Sequence, residues 1–169
     1  MLNKMIRAEE IHALLPHGQS MSMIDEVTQW DDSQITCISK AHLRKNNPLS
    51  DGTPSSTIIL VEYAAQSAAI HAGLLQEEQL QEGLVQEGLL QESQGKTLSG
   101  SQAAYIGSLK NIEMHQQAIA NSVSLISIKA TIELLTSTGA IYDFSAYGDE
   151  TLLIEGRLLL ALPSSSPPN

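Results

Sequence analysis

One carboxylate and one amide stand four residues apart in the most apolar stretch of the chain. The stretch runs from Leu60 to Ala69, and its two polar residues of interest are Glu62 and Gln66. Residues four apart share one face of an α-helix, so these two side chains would lie together. A carboxylate that loses solvation favours its protonated form and can serve as a general acid or base. The pair therefore predicts a catalytic helix, although a carboxylate at a helix edge can also simply face water.

The segments around this helix predict an α+β domain. Ser55 and Ser56 are candidate caps for a helix over about 57–75. Two strand-like runs precede it and are joined by the turn Asp31, Asp32 and Ser33. The predicted strands cover 21–30, 34–42, 103–114, 123–135, 141–147 and 151–162, and a first helix covers 6–15. An antiparallel sheet wrapped around the long helix is the simplest way to bury it.

A five-residue unit repeats between the long helix and the later strands. Its copies cover 74–78, 79–83, 84–88 and 89–93. A period of five matches neither a helix nor a strand, and Gly83 and Gly88 disfavour a helix further. We therefore predict a loop insertion over 74–100, helical at most at its start. The domain would then span 1–163, followed by a disordered serine- and proline-rich tail over 164–169.

Composition excludes several classes of function. The 169 residues suit one domain, and a formal net charge of −10 argues against a nucleic-acid partner. The single cysteine, Cys37, fits a reducing compartment. No signal peptide is recognisable, and no apolar run approaches the roughly 20 residues that cross a bilayer, so we expect a cytoplasmic protein without a membrane partner. No ligand spacing or phosphate loop indicates a metal or a cofactor.

Four short motifs in order resemble the (3R)-hydroxyacyl-ACP dehydratases of the hotdog fold. They are Leu14-Leu15-Pro16-His17-Gly18, Met23-Ile24-Asp25-Glu26-Val27, Asn47-Pro48-Leu49 and Glu62-Tyr63-Ala64-Ala65-Gln66. The similarity is greatest to the divergent branch of aryl-polyene gene clusters. It covers 14–73 by motif and 103–162 by pattern, and it implies a single hotdog domain.

The resemblance also implies a reaction. In such dehydratases a histidine removes the proton next to a thioester held on acyl carrier protein (ACP) by phosphopantetheine. A helix carboxylate protonates the departing hydroxyl, and helix-start amides receive the thioester oxygen. By matching position, Glu62 would be the acid, Gln66 a supporting hydrogen-bond partner, and Thr57 and Ile58 the source of the amides.

The chain departs from the family at the loop that carries the catalytic histidine. Residues 47–54 read Asn-Pro-Leu-Ser-Asp-Gly-Thr-Pro and contain no histidine. His17 is the strongest replacement for the base, and His42 and Asp51 are weaker ones. His71 follows Glu62 by nine residues, which directs it away from the acid and predicts a core or surface role. His12 and His115 have no supporting pattern.

Three functions are therefore open. The first is dehydration of an ACP-bound (3R)-hydroxyacyl thioester to the trans-2-enoyl thioester. The second is an acyl thioesterase, in which Glu62 would activate water. The third is a non-catalytic subunit that binds acyl-ACP or pairs with an active homologue. We expect a homodimer or a heterodimer in each case, because an unpaired sheet edge is a liability.

Overall fold

The computed structural model describes residues 5–7, 10–11, 19–50, 54–86 and 104–161, with the backbone alone for 80–86. Its seven described strands form one antiparallel sheet in the order β1-β2-β3-β5-β6-β7-β4. The strands are β1 (Ile6–Arg7), β2 (Glu26–Trp30), β3 (Gln34–Ser39), β4 (Tyr105–Met114), β5 (Ile126–Leu135), β6 (Gly139–Gly148) and β7 (Thr151–Ala161). One long helix, α1 (Leu60–Gln86), lies against β3, β5, β6 and β7. The predicted α+β class, a sheet around one central helix, is confirmed.

The first four turns of α1 are buried on nearly every side because the sheet curves around them. Ala64, Ala68 and Ala72 recur every four residues and are all buried, so the sheet can approach the helix closely along this row. Larger buried side chains, such as Leu60, Ile70 and Leu74, fill the space beside it. This burial explains why α1 shows no polar stripe over its buried length.

The turns follow the chemistry expected from the sequence. The Asp31 carboxylate accepts hydrogen bonds from Ser33 N and Ser33 Oγ at 2.8 and 2.7 Å and from Gln34 N at 3.1 Å, which closes the β2–β3 hairpin. Asp149 has a φ of 53° in the β6–β7 turn, and its carboxylate accepts from Ser124 Oγ at 2.7 Å. The β6–β7 hairpin is thereby joined to the start of β5.

Several predicted boundaries are wrong. Ile6 and Arg7 form a short strand against Val27 and Glu26, so the first helix does not begin there; Glu10 and Ile11 are helical. The second strand begins at Glu26 instead of 21, since Gln19–Met21 forms a 3-10 helix. The third ends at Ser39, and Ala41–Leu43 is again a 3-10 helix.

The long helix extends beyond its predicted end at residue 75, so the start of the repeat is helical. α1 continues through Gln86 and so includes the first two copies and part of the third. The remainder of the predicted insertion, 87–100, and the predicted tail, 164–169, lie outside the described residues. Leucine, glutamine and glutamate are good helix formers, and their summed preference outweighs a single glycine.

We expected no segment long and apolar enough to cross a membrane. That expectation is wrong, because one helix meets the criteria of length and composition. The 23 residues Thr57–Gln79 meet that criterion, but 72% of the qualifying window is buried within the protein. The sheet encloses this segment, as it does the core helix of a globular domain.

Candidate functional site

Glu62 and Gln66 meet on one side of α1, as their spacing predicts. Gln66 Nε2 donates to Glu62 Oε1 at 3.1 Å and to the carbonyl of Met21 at 3.0 Å. Gln66 Oε1 accepts from the backbone N–H of Met23 at 2.8 Å. Glu62 is half-buried, whereas Gln66 is buried with 3% of its surface exposed. The carboxylate therefore sits between the core and solvent, with one oxygen held by a fixed amide.

The orientation of the Gln66 amide follows from its partners. The Met23 N–H can only donate, so the oxygen of the amide must face it. The nitrogen then faces the two acceptors, the Met21 carbonyl and the Glu62 carboxylate. Gln66 thus ties α1 to the segment before β2 and holds Glu62 in place.

The far side of this segment is fixed by a second set of contacts. Arg44 donates to the carbonyl of Ser22 at 2.8 Å and pairs with the Asp25 carboxylate at 2.5 Å. Asp25 also accepts from the backbone N–H of Lys40, and Ser39 Oγ donates to the carbonyl of Met23. The backbone atoms that Gln66 contacts are therefore held from both sides.

Asn47 attaches the loop before α1 to the residue next to the acid. Its Nδ2 donates to the Tyr63 hydroxyl at 3.2 Å and to the carbonyl of Ala41 at 3.1 Å, and its Oδ1 accepts from Leu49 N at 2.9 Å. Burial raises the pKa of Tyr63, so this phenol remains protonated. The Asn47-Pro48-Leu49 motif thus has a structural role beside Glu62.

The two predicted helix-start amides, of Thr57 and Ile58, differ in how firmly they are held within the chain. Thr57–Ile59 forms a 3-10 turn ahead of α1, and Ser56 caps it. The Thr57 N–H donates to the carbonyl of Gln117 at 3.2 Å, so the predicted substrate contact through this amide is corrected: it is occupied within the chain. The Ile58 N–H reaches only Ser56 Oγ, at 3.4 Å, and the Ile58 side chain is 45% exposed. The Ile58 amide is therefore the more weakly held of the two, and its predicted contact with a substrate stays a prediction.

The replacement base is not identified by these contacts. His17 and Asp51, both predicted from the sequence, lie outside the described residues. The Val123 carbonyl accepts from His42 Nε2 at 3.0 Å, which leaves the lone pair on Nδ1. Nδ1 is buried and has no hydrogen-bond partner in the described part of the chain. Because Nδ1 is shielded from solvent in this conformation, the predicted role of His42 as the base stays a prediction.

His71 is a core residue, one of the two roles predicted for it. Its Nε2–H donates to the carbonyl of Asp31 at 2.7 Å, and its Nδ1 accepts from the Tyr142 hydroxyl at 3.0 Å. The ring also meets Trp30 edge-on, with centroids 6.5 Å apart. Burial lowers the pKa of His71, which keeps the imidazole neutral.

A cavity of about 420 Å³ opens at the other end of the buried part of α1. Its lining includes Asp32, Leu75, Glu78, Glu133, Leu134 and Leu135. Thirteen residues of helix separate Glu62 from Leu75, a rise of about 20 Å. This cavity is therefore remote from the candidate acid and does not form part of its site.

Sequence reasoning missed the residues that position the pair. Asp25 and Asn47 lie in recognised motifs, and their short polar side chains within apolar runs were an available signal. No such signal marked Arg44, Ser39 or Gln117, because each of them contacts a partner at least sixteen residues away.

Comparisons with solved structures agree with the fold described above. The dehydratase heterocomplex ApeI:P from Xenorhabdus doucetiae matches with a TM-score of 0.71 and 14% identity, over 92% of this chain and 91% of that chain. A Haemophilus influenzae thioesterase matches with a TM-score of 0.56 and 11% identity, over 97% and 96%. A Helicobacter felis protein gives 0.54 and 13%, over 90% and 99%. At such low identities these structures establish the hotdog fold alone.

No curated protein sequence matches the chain. The family model of the ApeP dehydratases, however, matches residues 9–166, nearly the whole sequence. The predicted similarity to aryl-polyene-type dehydratases is thereby confirmed, and the chain belongs to the ApeP-like dehydratase family.

Proposed function

We propose that this protein dehydrates an ACP-bound (3R)-hydroxyacyl thioester to the trans-2-enoyl thioester, in the cytoplasm, within a fatty-acid or aryl-polyene-like biosynthesis. The observation that carries the proposal is Glu62 at the boundary between core and solvent, with Oε1 held by Gln66 at 3.1 Å. Gln66 is itself fixed by Met21 and Met23. A carboxyl group held in this way can reach a substrate without a change in the fold.

The reaction requires a proton donor at one carbon and a base at the next. Glu62 in its acid form gives its proton to the hydroxyl at carbon 3, and the C–O bond breaks to release water. A base takes the proton from carbon 2, and the electron pair of that C–H bond forms the double bond. The thioester oxygen gains negative charge during this step, and a helix-start amide can stabilise it. We assign that role to the Ile58 N–H.

A second candidate is a subunit that acts only with a homologous hotdog partner. Two observations favour it: the loop before α1 lacks the family's histidine, and β4 lies at an open edge of the sheet. In the described sheet β4 has β7 as its one neighbour, so its other edge offers free backbone groups. Every residue of β4 is exposed or half-exposed, and Tyr105, Ile106, Leu109 and Met114 are large apolar residues with at least 38% exposure.

An open edge of ten residues with four exposed large apolar side chains fits another hotdog sheet added edge to edge. The related ApeI:P structure is a heterocomplex of dehydratases, which supports a homologous partner of this kind. We therefore propose a homodimer or heterodimer through β4, to which the partner can contribute the base.

The decisive experiment is turnover of a 3-hydroxyacyl-ACP, read from the intact mass of the carrier-bound product. The chain is assayed alone and with a co-expressed homologous hotdog protein. Glu62→Gln keeps the acceptor for Gln66 but removes the transferable proton. It should lower turnover by about 10²- to 10⁴-fold. Glu150→Gln, at an exposed turn, is the matched control and should leave turnover unchanged.

The readouts separate the three functions. Loss of 18 mass units, about one water, without free thiol indicates dehydration. Release of free thiol that depends on Glu62 would replace the proposal by the thioesterase. Activity only with the partner, and retained in Glu62→Gln, would assign the chemistry to the partner and a supporting role to this chain.

The β4 edge has its own test. Leu109→Glu places a charge at an exposed position of β4, so the fold should persist while association weakens. Leu134→Glu, at an exposed leucine on β5, is the control. Sedimentation at micromolar concentration should show dissociation only for Leu109→Glu. Unchanged association in that variant would exclude β4 as the contact.

A further inference from the structure

Three side chains with metal-binding atoms converge where β4 ends beside β7. They are Glu113, His115 and Glu155, and one ligand atom from each lies within 4.8 Å of the other two. His115 Nε2 is 2.9 Å from Glu155 Oε1, and His115 Nδ1 is 3.9 Å from Glu113 Oε1. The sequence did not predict this cluster, because Glu155 lies forty residues beyond His115.

A β-bulge brings the two glutamates onto one face of the sheet. Lys110 pairs with Arg157, and the next pair along the strands is Glu113 with Glu155. Two residues of β4, Asn111 and Ile112, therefore stand opposite the single residue Gly156. Without this extra residue Ile112 would face Glu155, and Glu113 would point to the opposite side. His115 follows Glu113 by two positions, which returns it to the same face.

The bulge depends on unusual backbone features. Asn111 has a φ of 52°, a left-handed conformation that asparagine adopts more readily than most residues. A Cβ on Gly156 would lie 2.4 Å from Ile112 Cδ1 and 3.2 Å from the Asn111 carbonyl oxygen. The chain thus maintains a conformation that few residues permit, and its result is the placement of Glu113.

That placement sets two like charges directly opposite each other, which is unfavourable in a sheet. Among the described residues, the ion pairs of Glu113 and Glu155 are with His115 alone. Arg157, two residues from Glu155 on the same face, is occupied by Asp143 at 2.6 Å and lies 3.8 Å from Glu133. The cluster therefore has two carboxylates and no permanently charged cation.

We propose that Glu113, His115 and Glu155 bind one divalent transition-metal cation of the zinc class. An imidazole nitrogen and two carboxylate oxygens are suitable zinc ligands at about 2.0–2.2 Å. Tetrahedral ligands at that range are roughly 3.4 Å apart, which the partly exposed side chains can reach by small rotations. Water completes the coordination, and the ion removes the repulsion between the glutamates.

Binding would also brace the start of α1. The residues that follow His115 supply the carbonyls of Gln116 and Gln117, which accept from the hydroxyl and amide of Thr57. An ion between His115 and Glu155 fixes this segment to β7. We expect the metal to stabilise the fold, whatever the outcome of the dehydration assay.

The test is calorimetric titration of the purified full-length chain with Zn²⁺, accompanied by thermal unfolding. We expect one equivalent to bind and the unfolding temperature to rise. His115→Gln and Glu155→Gln should each weaken the affinity at least tenfold and abolish the temperature shift. Glu150→Gln removes a carboxylate elsewhere on the surface and should change neither.

A second measurement does not depend on the folding of variants. Addition of Co²⁺ to the unaltered chain should shift and broaden the imidazole NMR signal that is missing in His115→Gln. The proposal is overturned by the absence of binding at millimolar Zn²⁺, or by binding that persists unchanged in His115→Gln. It is equally overturned if Co²⁺ perturbs other histidines and leaves His115 unaffected.

Discussion

The two ends of the buried part of α1 carry titratable residues in opposite surroundings. Near its start, Glu62 is half-buried and has one fixed partner, Gln66. Nine residues later, His71 is fully buried and both of its ring nitrogens are hydrogen-bonded. A group that exchanges protons with a substrate needs an open side, whereas one with all its partners within the protein contributes to stability. Burial and partners therefore separate the candidate acid from the structural histidine.

The largest effect on stability should come from His71→Ala. The change removes both hydrogen bonds, leaves the Tyr142 hydroxyl and the Asp31 carbonyl without a partner, and opens a cavity in the core. We expect a loss of about 3 kcal/mol in the free energy of unfolding, measured by denaturant titration. Glu62→Gln, at the other end, should change it by less than about 0.5 kcal/mol. Equal losses in the two variants would contradict the assignment of His71 to stability and of Glu62 to chemistry.

Gln66→Leu tests the residue that joins the half-buried Glu62 to the buried core. The substitution keeps the apolar bulk but leaves the Met23 N–H without an acceptor in a buried position. We expect a loss of about 2 kcal/mol in unfolding free energy. Turnover should also fall, because Glu62 loses the amide that holds it, while KM changes little. A variant with full kcat would show that Gln66 is structural only.

A smaller effect is expected from Ser56→Ala at the start of the helix. Ser56 accepts from the Ile58 N–H at 3.4 Å, a long contact, so removal of the cap should cost only about 0.5 kcal/mol. The same change frees the Ile58 N–H for a substrate oxygen. Turnover should therefore be kept or raised. A strong decrease in kcat for a folded variant would argue against Ile58 as the oxyanion donor.

The pH dependence of stability should separate His71 from the carboxylates. The pKa of His71 is lowered below the 6.5 of an unfolded histidine, so the unfolded state binds more protons as the pH falls below 6.5. The unfolding free energy should thus be highest above that pH and decline as the pH falls through the folded pKa. His71→Gln, which can make both hydrogen bonds, should flatten this decline.

The carboxylates act in a lower range. The pKa values of Asp31, Asp143 and Asp149 are held below 3.8 chiefly by hydrogen bonds from Ser33, Arg157 and Ser124. Their contribution should be lost mainly below pH 3.8 and should be the same in the His71→Gln variant. A decline that begins just below pH 6.5 and survives this substitution would exclude His71 as its source.

Local patterns were sufficient to predict the central helix and the sheet. The apolar run after Ser56, the Asp31 turn and the alternation in the later strands each act within a few residues. The Glu62–Gln66 pair was equally accessible, because both side chains lie on one helix face by spacing alone. These features need no knowledge of the rest of the fold.

Other features depend on distant partners and could not be read from the sequence. The Thr57 amide was assigned to substrate, but Gln117, sixty residues away, occupies it. The bulge at Asn111 could not be foreseen either, since it exists only against Gly156. The helical repeat was missed for a different reason. A five-residue period gives no continuous apolar face, and the buried turns that end at Leu75 supply an anchor from which the helix continues.

The continuation of α1 through the repeat makes helix length adjustable. Among the helix residues whose side chains are described, Leu75 is the last buried one, whereas the helix extends eleven residues further, to Gln86. Each five-residue copy in a helix adds about 7.5 Å and turns the chain by roughly 140°. Gain or loss of a copy would lengthen or shorten this part of the helix without disturbing the enclosed turns. It would also redirect whatever follows, so copy number can vary reach and direction while the hotdog core stays constant.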